Sequence, residues 1–586
     1  MQGRAVSWRP WFRVSGVFLV LAGVFLPRGW YDQLPWGPEL PPQPIRGVTL
    51  LQVALVLQGA VLLALSFRSR LAARLGPSAL PGLASIPNED PGTARRDAWL
   101  LAGITALGLL LRLHQISSDL WLDEIAPVMD YGALSPWQVI ASYQRSSNHL
   151  LNTLLVKGAI ALFGEREWAI RLPAVLLGSA TVPAFYWVVR MAQPRRAALG
   201  ASALLAVSYH HIFFSQNARG YAGYLLFALL STGLLISGLR EDRGRTWALY
   251  VLTVVLGFAT QLLTTFVFAA HVLCGSLAAL VVRARRDAPA PLIGRLTGVF
   301  GAVALLTFQL YATVIPQAYV VGRTTYVRPT AGFGPLSVDF LVELVRGVSA
   351  GFGTGILLGV LPFLLLGMLG FIQLFRRHWL LASALVLPEL ITAAYLVSRG
   401  YGASPRFFLL GLPLAIASAV QGIWTLTAVA ARHSQNVAAH LPRLRVAVTV
   451  LLCGASALSL GSYYRLPKQD YRGAVQYIEA SRRPEDAVVV FGIAEKGFRF
   501  YATREAVPPG RDYRYSRDAA ELDSILAAHP SRRVFVAVTF ARELRTAYPA
   551  LFSRIRGDWP APRVFEGTVG DGAVLVFTVP GTAPPR

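Results

Sequence analysis

The sequence is poor in cysteine and in charged residues. Its two cysteines, Cys274 and Cys453, both lie inside apolar runs, so they predict neither a disulfide framework nor a metal cluster. Charged residues make up 15% of the chain, whereas about one-quarter is typical of soluble domains. A glycine-rich loop of the P-loop type is also missing. These deficits argue against a soluble globular chain and against a P-loop nucleotide site.

Apolar residues make up 54% of the chain. They form about 13 runs of roughly 17–25 residues, each long enough to cross about 30 Å of hydrocarbon. The formal net charge of +24 comes from arginines that cluster in short loops between these runs, as the positive-inside rule requires. The sequence therefore predicts a polytopic α-helical membrane protein in contact with membrane lipids, and no nucleic-acid partner.

The charge pattern also predicts how the chain crosses the membrane. A basic linker at 68–97 belongs in the cytoplasm, so the apolar run 98–113 exits at the outer face. The apolar segment Leu150–Phe163 is short, which allows either a span or an interfacial helix. The interfacial interpretation is preferred, because it keeps the arginines at positions 190, 195 and 196 in the cytoplasm.

This topology divides the chain into three parts. Residues 1–97 form a two-helix membrane extension with the cytoplasmic linker, 98–464 form a transmembrane core, and 465–586 form a polar tail on the outer face. The tail is long enough to bury a core of its own. Its hydrophobic pattern predicts a helix and three strands, hence a small α/β domain, at 471–480, Ala487–Phe491, 534–538 and 573–579.

Three carboxylates gather directly after the run 98–113, in the stretch 118–124. Charges are costly at a membrane, and they usually mark a reaction centre or an ion path there. Asp119 has a second interpretation as the N-cap of a short helix that opens at Leu120. Asp119, Asp123 and Glu124 are all candidates for chemistry on this pattern.

Three further polar motifs belong to the same face in this topology. Asn148 and His149 precede the segment at 150–163, Arg219 and Tyr221 lie between two spans, and Arg406 stands at the mouth of a late span. Arg219 has a second interpretation as an arginine that snorkels to lipid phosphates. Carboxylates, amides and arginines on one face predict a site that activates a hydroxyl group and holds a phosphate.

The ordered set of motifs resembles the GT-C glycosyltransferases. The closer resemblance is to the protein O-mannosyltransferase and aminoarabinose-transferase type, similar to glycosyltransferase family 39. The motifs that carry it are LWLDE at 120–124, NHLLN at 148–152, AIRLP at 169–173, SQNARGY at 215–221, RFFL at 406–409 and DYRGA at 470–474.

The resemblance implies a GT-C fold and a reaction at the outer face of the cytoplasmic (inner) membrane. Such enzymes take one sugar from a polyprenyl-phosphate donor and pass it to a glycan, lipid or protein acceptor. Asp123 is the expected base for the acceptor hydroxyl. Glu124 is expected to position the acceptor or to help hold a divalent cation, the one cofactor considered.

The remaining motif residues are expected to bind substrate. Arg219 and Arg406 are candidates for the donor phosphate, because a guanidinium group offers a bidentate fork. Asn148, His149 and Tyr221 stand at motif positions and are expected to line the same site.

Two other functions remain open at this stage. A transporter or flippase would place its charges around a midplane site and is often built from inverted repeats. Here the acids cluster at one outer loop and no repeat is visible, which favours an enzyme. A ligase of lipid-linked glycans is the nearer alternative, because the same motifs would serve it.

Overall fold

The structure is a computed structural model. It describes residues 9–27, 47–67, 91–143, 148–284, 290–325, 356–400, 404–505, 513–529 and 532–580. Most of the predicted cytoplasmic linker, residues 68–90, lies outside the described residues.

Most of the described residues before 464 are helical. In chain order the α-helices are α1 (Arg9–Phe25), α2 (Gly47–Phe67), α3 (Pro91–Leu113), α4 (Leu122–Tyr131), α5 (Pro136–Ala141), α6 (Leu150–Phe163), α7 (Glu167–Arg190), α8 (Arg195–Ala206), α9 (Tyr209–Ser215), α10 (Tyr221–Glu241), α11 (Gly244–Thr260), α12 (Thr264–Ala284), α13 (Ala290–Tyr311), α14 (Ile315–Thr325), α15 (Ile356–Arg377), α16 (Trp379–Arg399), α17 (Gly411–His433) and α18 (Gln435–Tyr463).

Within the described residues, eight of these helices are long and apolar enough to cross a membrane: α2, α7, α10, α12, α13, α16, α17 and α18. The bent pair α8 and α9 raises the number to nine if it is one span, and α1, α6 and α11 are shorter apolar helices. The prediction of a polytopic helical membrane protein is confirmed. The count of about 13 spans stays a prediction.

One predicted span is broken. The sequence predicts a single run over 198–214, but α8 ends at Ala206 and α9 leaves it at an angle of 59°. The fully buried Arg112 lies at the break, where its Nη1 donates to the carbonyl oxygen of Ala206 at 3.1 Å and its Nη2 lies 2.6 Å from Nδ1 of His211. A cation at a helix C-terminus satisfies carbonyls that the bend leaves open, and it complements the helix dipole.

The chain after residue 464 forms an α/β domain. Its strands are β1 (Ala487–Phe491), β2 (Arg514–Ser516), β3 (Val534–Thr539), β4 (Arg563–Phe565) and β5 (Val574–Val579), and its helices are α19 (Tyr471–Ser481), α20 (Glu495–Arg504), α21 (Ala519–Ala527), α22 (Ala541–Ala547) and α23 (Pro549–Asp558). The strand order is β2-β1-β3-β5-β4, with β1 parallel to β2 and β3, and β5 antiparallel to β3 and β4. Elements α19, β1, β3 and β5 lie, to within a few residues, where the sequence predicts a helix and three strands.

The α/β domain packs directly on α4. Leu120 and Ile125 are fully buried in one cluster with Tyr471 and Phe498 of the domain. The same cluster includes Ile170 of α7. The loop that carries the acidic stretch is therefore enclosed between the membrane helices and the α/β domain.

Candidate functional site

The acidic stretch opens helix α4. The helix begins at Leu122 with Trp121 as its N-cap, so Asp123 and Glu124 stand in the first turn, where carboxylates are stabilised by the helix dipole. Neighbouring residues of a helix point about 100° apart. The two acids therefore diverge and meet different partners.

Asp123 points to an accessible arginine. Its Oδ2 lies 2.8 Å from Nη1 of Arg406, and the side chains of Asp123 and Arg406 keep 28% and 35% of their surface exposed. Arg406 sits in a short 3₁₀ helix, Pro405–Phe408, between α16 and α17. The structure thus joins two residues that lie 283 positions apart in the sequence. Together they offer a carboxylate that accepts a proton and a guanidinium group that binds an anion.

Glu124 points into the protein and has no exposed surface. Its Oε1 and Oε2 accept from Nε and Nη2 of Arg171 at 2.9 and 2.8 Å, and Oε1 also accepts from the backbone N–H of Ala218 at 2.9 Å. Nζ of Lys468 lies 3.7 Å from Oε2. Burial alone would raise the pKa of Glu124, but the attraction of Arg171 and Lys468 outweighs it and lowers that pKa.

This burial corrects the role that the sequence predicts for Glu124. A carboxylate whose oxygens are occupied by Arg171 and Lys468 is withdrawn from an acceptor and from a cation arriving from solvent. Among the described residues, no group of three or more His, Cys, Asp or Glu side chains is gathered to hold a metal ion. Glu124 instead supports the loop from inside.

Arg171 organises the outer loop. Besides Glu124, its guanidinium group donates to the carbonyl oxygens of Ile116, Ser118 and Asp119 at 2.6–2.9 Å. The sequence predicts Arg171 to be an interfacial anchor with local ion pairs, within the AIRLP motif. Its place in that motif was a signal, but its partners lie 47 to 55 positions away and could not be identified from the sequence.

Asp119 does not cap α4, so that interpretation is wrong. Its Oδ1 accepts from Nε of Arg472 at 2.9 Å, and its Oδ2 accepts from the backbone N–H of the same residue at 3.3 Å. Burial raises the pKa of Asp119, although Arg472 opposes that shift. Asp119 therefore links the outer loop to the α/β domain.

Asn148 and His149 precede α6 and are both buried. The Asn148 amide donates to the carbonyl oxygens of Val139 and Ser142 at 2.9 and 2.8 Å, and its Oδ1 accepts from Thr153. Asn148 therefore holds the chain before α6, which differs from the substrate contact that the sequence predicts.

His149 joins α6 to the SQNARGY loop. Its Nδ1 accepts from the backbone N–H of Gly220 at 2.9 Å, and its ring lies edge-on to Tyr221 with centroids 5.8 Å apart. A Cβ at Gly220 would lie 1.9 Å from the carbonyl oxygen of Thr260, so only glycine fits there. Burial lowers the pKa of His149 well below its usual value, and the nearby charges of Arg219 and Arg406 lower it further. Both effects favour the neutral form of the imidazole.

The sequence pattern does not predict Lys468 and Gln469 as residues of the site. Both lie in a polar segment just before the α/β domain, and that segment has no distinctive pattern. Lys468 is buried, and its Nζ donates to the carbonyl oxygen of Gln216 at 2.6 Å. Gln469 is fully buried, and its Oε1 accepts from the backbone N–H of Leu122 at 2.7 Å. Burial lowers the pKa of Lys468 to about 7, although Glu124 opposes the shift.

The comparison with protein families gives one match. Residues 150–311, from α6 to the end of α13, match the sequence model of the family described as dolichyl-phosphate-mannose-protein mannosyltransferase. The predicted resemblance to GT-C glycosyltransferases is confirmed. The matched segment contains Arg171, Arg219 and Tyr221, whereas Asp123 and Arg406 lie outside it.

Solved structures give weaker likenesses. The crystal structure of ArnT from Cupriavidus metallidurans bound to undecaprenyl phosphate is 12% identical, with a TM-score of 0.47, and the alignment covers 83% of this chain and 99% of that one. The archaeal oligosaccharyltransferase AglB from Archaeoglobus fulgidus, in complex with an inhibitory peptide and a dolichol-phosphate, is 13% identical, with a TM-score of 0.45, and the alignment covers 83% and 74%. A comparison with curated protein sequences gives no match.

Removal of Arg171 is expected to destabilise the protein strongly. Arg171→Met leaves Glu124 charged and buried with one cationic partner fewer, which costs about 3–5 kcal/mol of the free energy of unfolding. Adding Glu124→Gln should recover part of that loss, because the buried charge is removed. Unfolding in detergent measures both effects. Arg166→Met, at an exposed position before the same helix, is the control, and equal stability of the two single variants would contradict the prediction.

Lys468 is expected to make stability depend on pH. Its pKa is about 7 in the folded protein and about 10.4 in an unfolded chain. Between these values the unfolded chain binds the additional proton, so stability rises with pH by up to about 1.4 kcal/mol per pH unit. Unfolding of the wild type and of Lys468→Met at pH 6, 7, 8 and 9 tests this. The variant should lack the additional rise above pH 7, and parallel curves would refute it.

Proposed function

We propose that the protein is a membrane glycosyltransferase. It transfers a single sugar from a polyprenyl-phosphate donor to a glycan, lipid or protein acceptor at the outer face of the cytoplasmic membrane. The observation that carries this proposal is the accessible Asp123–Arg406 pair beside the membrane helices. The match of residues 150–311 to a family of lipid-phosphate-sugar transferases supports the same class of donor.

Asp123 is the proposed base. As the acceptor oxygen attacks the anomeric carbon, its proton passes to the Asp123 carboxylate, and the bond between the anomeric carbon and the phosphate oxygen breaks. The polyprenyl phosphate leaves with the electron pair of that bond. A carboxylate beside the anomeric carbon also favours the positive charge that develops on the sugar ring.

Arg406 and Arg219 are proposed to hold the departing phosphate. A guanidinium group forms bidentate, charge-assisted hydrogen bonds with phosphate oxygens. Arg406 pairs with Asp123 at 2.8 Å, so a phosphate bound by Arg406 would lie next to the base. His149 packs edge-on against Tyr221, two residues after Arg219, and the charge of Arg219 contributes to its lowered pKa.

Replacement of the base gives the decisive test of this function. Asp123→Asn keeps the size of the side chain but accepts no proton, so transfer should fall about 10²- to 10⁴-fold. The measurement uses isolated membranes at matched expression, supplied with a panel of radiolabelled polyprenyl-phosphate sugars and an envelope fraction as acceptor. Asp130→Asn is the matched control, because Asp130 is an acid of the same helix that pairs with Lys496.

Wild-type turnover by Asp123→Asn would remove Asp123 as the base. Mass analysis of envelope glycans and glycoproteins with and without the protein identifies the natural sugar and acceptor. A missing single-sugar addition is the expected result.

The proposed orientation rests on the positive-inside pattern and has its own test. Ser117 and Arg196 are both exposed, one after α3 and the other at the start of α8. In a background without Cys274 and Cys453, an impermeant thiol reagent added outside should label Ser117→Cys and should label Arg196→Cys only after the membrane is opened. Labelling of both from the same side would contradict the proposed topology.

A further inference from the structure

The start of α4 is held by side chains of the distant C-terminal region. The backbone N–H of Leu120 donates to the hydroxyl oxygen of Tyr501 at 2.7 Å, and the N–H of Leu122 donates to Oε1 of Gln469 at 2.7 Å. The first N–H groups of a helix have no partner within the helix and need an acceptor from elsewhere. Gln469, 347 positions later in the chain, supplies that acceptor for Leu122, the first residue of α4. Tyr501, 381 positions after Leu120, holds the chain two residues before the helix.

Gln469 connects α4 to the sheet of the α/β domain. Its Nε2 donates to Oγ1 of Thr539 at 3.1 Å and to the carbonyl oxygen of Gly572 at 3.0 Å. Thr539 ends β3, and Gly572 lies just before β5. The fully buried side-chain amide of Gln469 therefore links β3 and the start of β5 to Leu122, the residue before Asp123.

The neighbouring residue reinforces this connection. Lys468 lies 3.7 Å from Glu124 of α4 and donates to the carbonyl oxygen of Gln216 in the SQNARGY loop. Residues 468 and 469 thus contact both the helix that carries the proposed base and the loop that carries Arg219. A shift of this short segment would move both.

We propose that Gln469 and Tyr501 are positioning residues that align Asp123 with the donor. This inference rests on the proposed function of Asp123 as the base. Gln469 acts through the first backbone N–H of α4 and Tyr501 through the backbone just before that helix, and neither is placed at the reacting atoms. A displacement of about 1 Å in a reacting group is enough to lower the rate of a transfer about 100-fold. The α/β domain is therefore part of the catalytic unit.

The test separates turnover from donor binding. Gln469→Met keeps the length of the side chain but removes its three hydrogen bonds, and kcat should fall about 10- to 100-fold while the KM for the polyprenyl-phosphate sugar stays within about twofold. Tyr501→Phe removes only the acceptor for Leu120, so a smaller loss of about 3- to 10-fold in kcat is expected. The KM for the donor separates a loss of turnover from a loss of donor binding. Loss of folded protein would lower the apparent kcat and leave KM unchanged, so the amount of folded protein and the melting temperature are measured for each variant.

Matched controls come from the same domain. Gln476→Met alters an exposed glutamine of α19, and Tyr548→Phe removes a hydroxyl that contacts the carbonyl oxygen of Arg517. Both should keep the kcat of the wild type. All four variants are made in the full chain, and each is compared at matched amounts of folded protein, so that Tyr501→Phe still tests the inference if Gln469→Met folds poorly.

Two results would overturn the inference. One is a kcat of Tyr501→Phe and of any folded Gln469→Met that equals the controls. The other is a parallel loss of kcat, donor affinity and thermal stability, which would indicate a general structural role. Asp123→Asn distinguishes the two proposals. If that variant is inactive while the positioning variants are fully active, the inference fails and the proposed function stands.

Discussion

The buried ion pair between Glu124 and Arg171 is the interaction on which the outer loop depends. Both side chains are withdrawn from water, and the two guanidinium nitrogens that meet Glu124 lie 2.8–2.9 Å from its oxygens. Desolvating two charges is costly, so such a pair persists only where further hydrogen bonds satisfy the remaining atoms. The carbonyl oxygens of residues 116, 118 and 119 and the N–H of Ala218 supply them. The loop therefore has one arrangement in which every member of this network is satisfied.

That arrangement separates two adjacent acids that are chemically alike. Glu124 is turned into the network, and the helical geometry of α4 turns Asp123 away from it toward Arg406. A partly exposed carboxylate with a partly exposed guanidinium partner is suited to exchange partners when a substrate arrives. A buried carboxylate with fixed partners is suited to hold the backbone. The contacts of Glu124 fix the first turn of α4 and therefore also the position of Asp123, the preceding residue.

Further ion pairs join the α/β domain to the outer loop. Asp119 and Asp130, on either side of the proposed base, form ion pairs with Arg472 and Lys496 of that domain. Apolar side chains of α4 are buried in the same cluster as those of the domain. Charged contacts and apolar packing together make the outer loop a shared element of two parts of the chain.

The sequence by itself determined the features that depend on local pattern. Apolar runs of sufficient length predict membrane helices. A short run of β-branched and aromatic residues in the tail predicts the strand Ala487–Phe491, because neighbouring residues suffice to define it. The motif order also indicated the GT-C resemblance that the family match over 150–311 confirms. The same motifs contain Asp123 and Arg406, but no local pattern indicates that the two side chains meet.

Only the tertiary structure decided which polar residues act as supports. Glu124, Asn148 and Asp119 are residue types that occur in active sites. Their hydrogen-bond partners come from other segments of the chain, and these contacts make the three residues structural supports. The break after Ala206 likewise depends on Arg112, which lies 94 positions earlier. Gln469 and Leu122 are 347 positions apart. Hydrogen bonds of this kind leave no local pattern, because the free energy that selects them is gained only when the distant segments pack together.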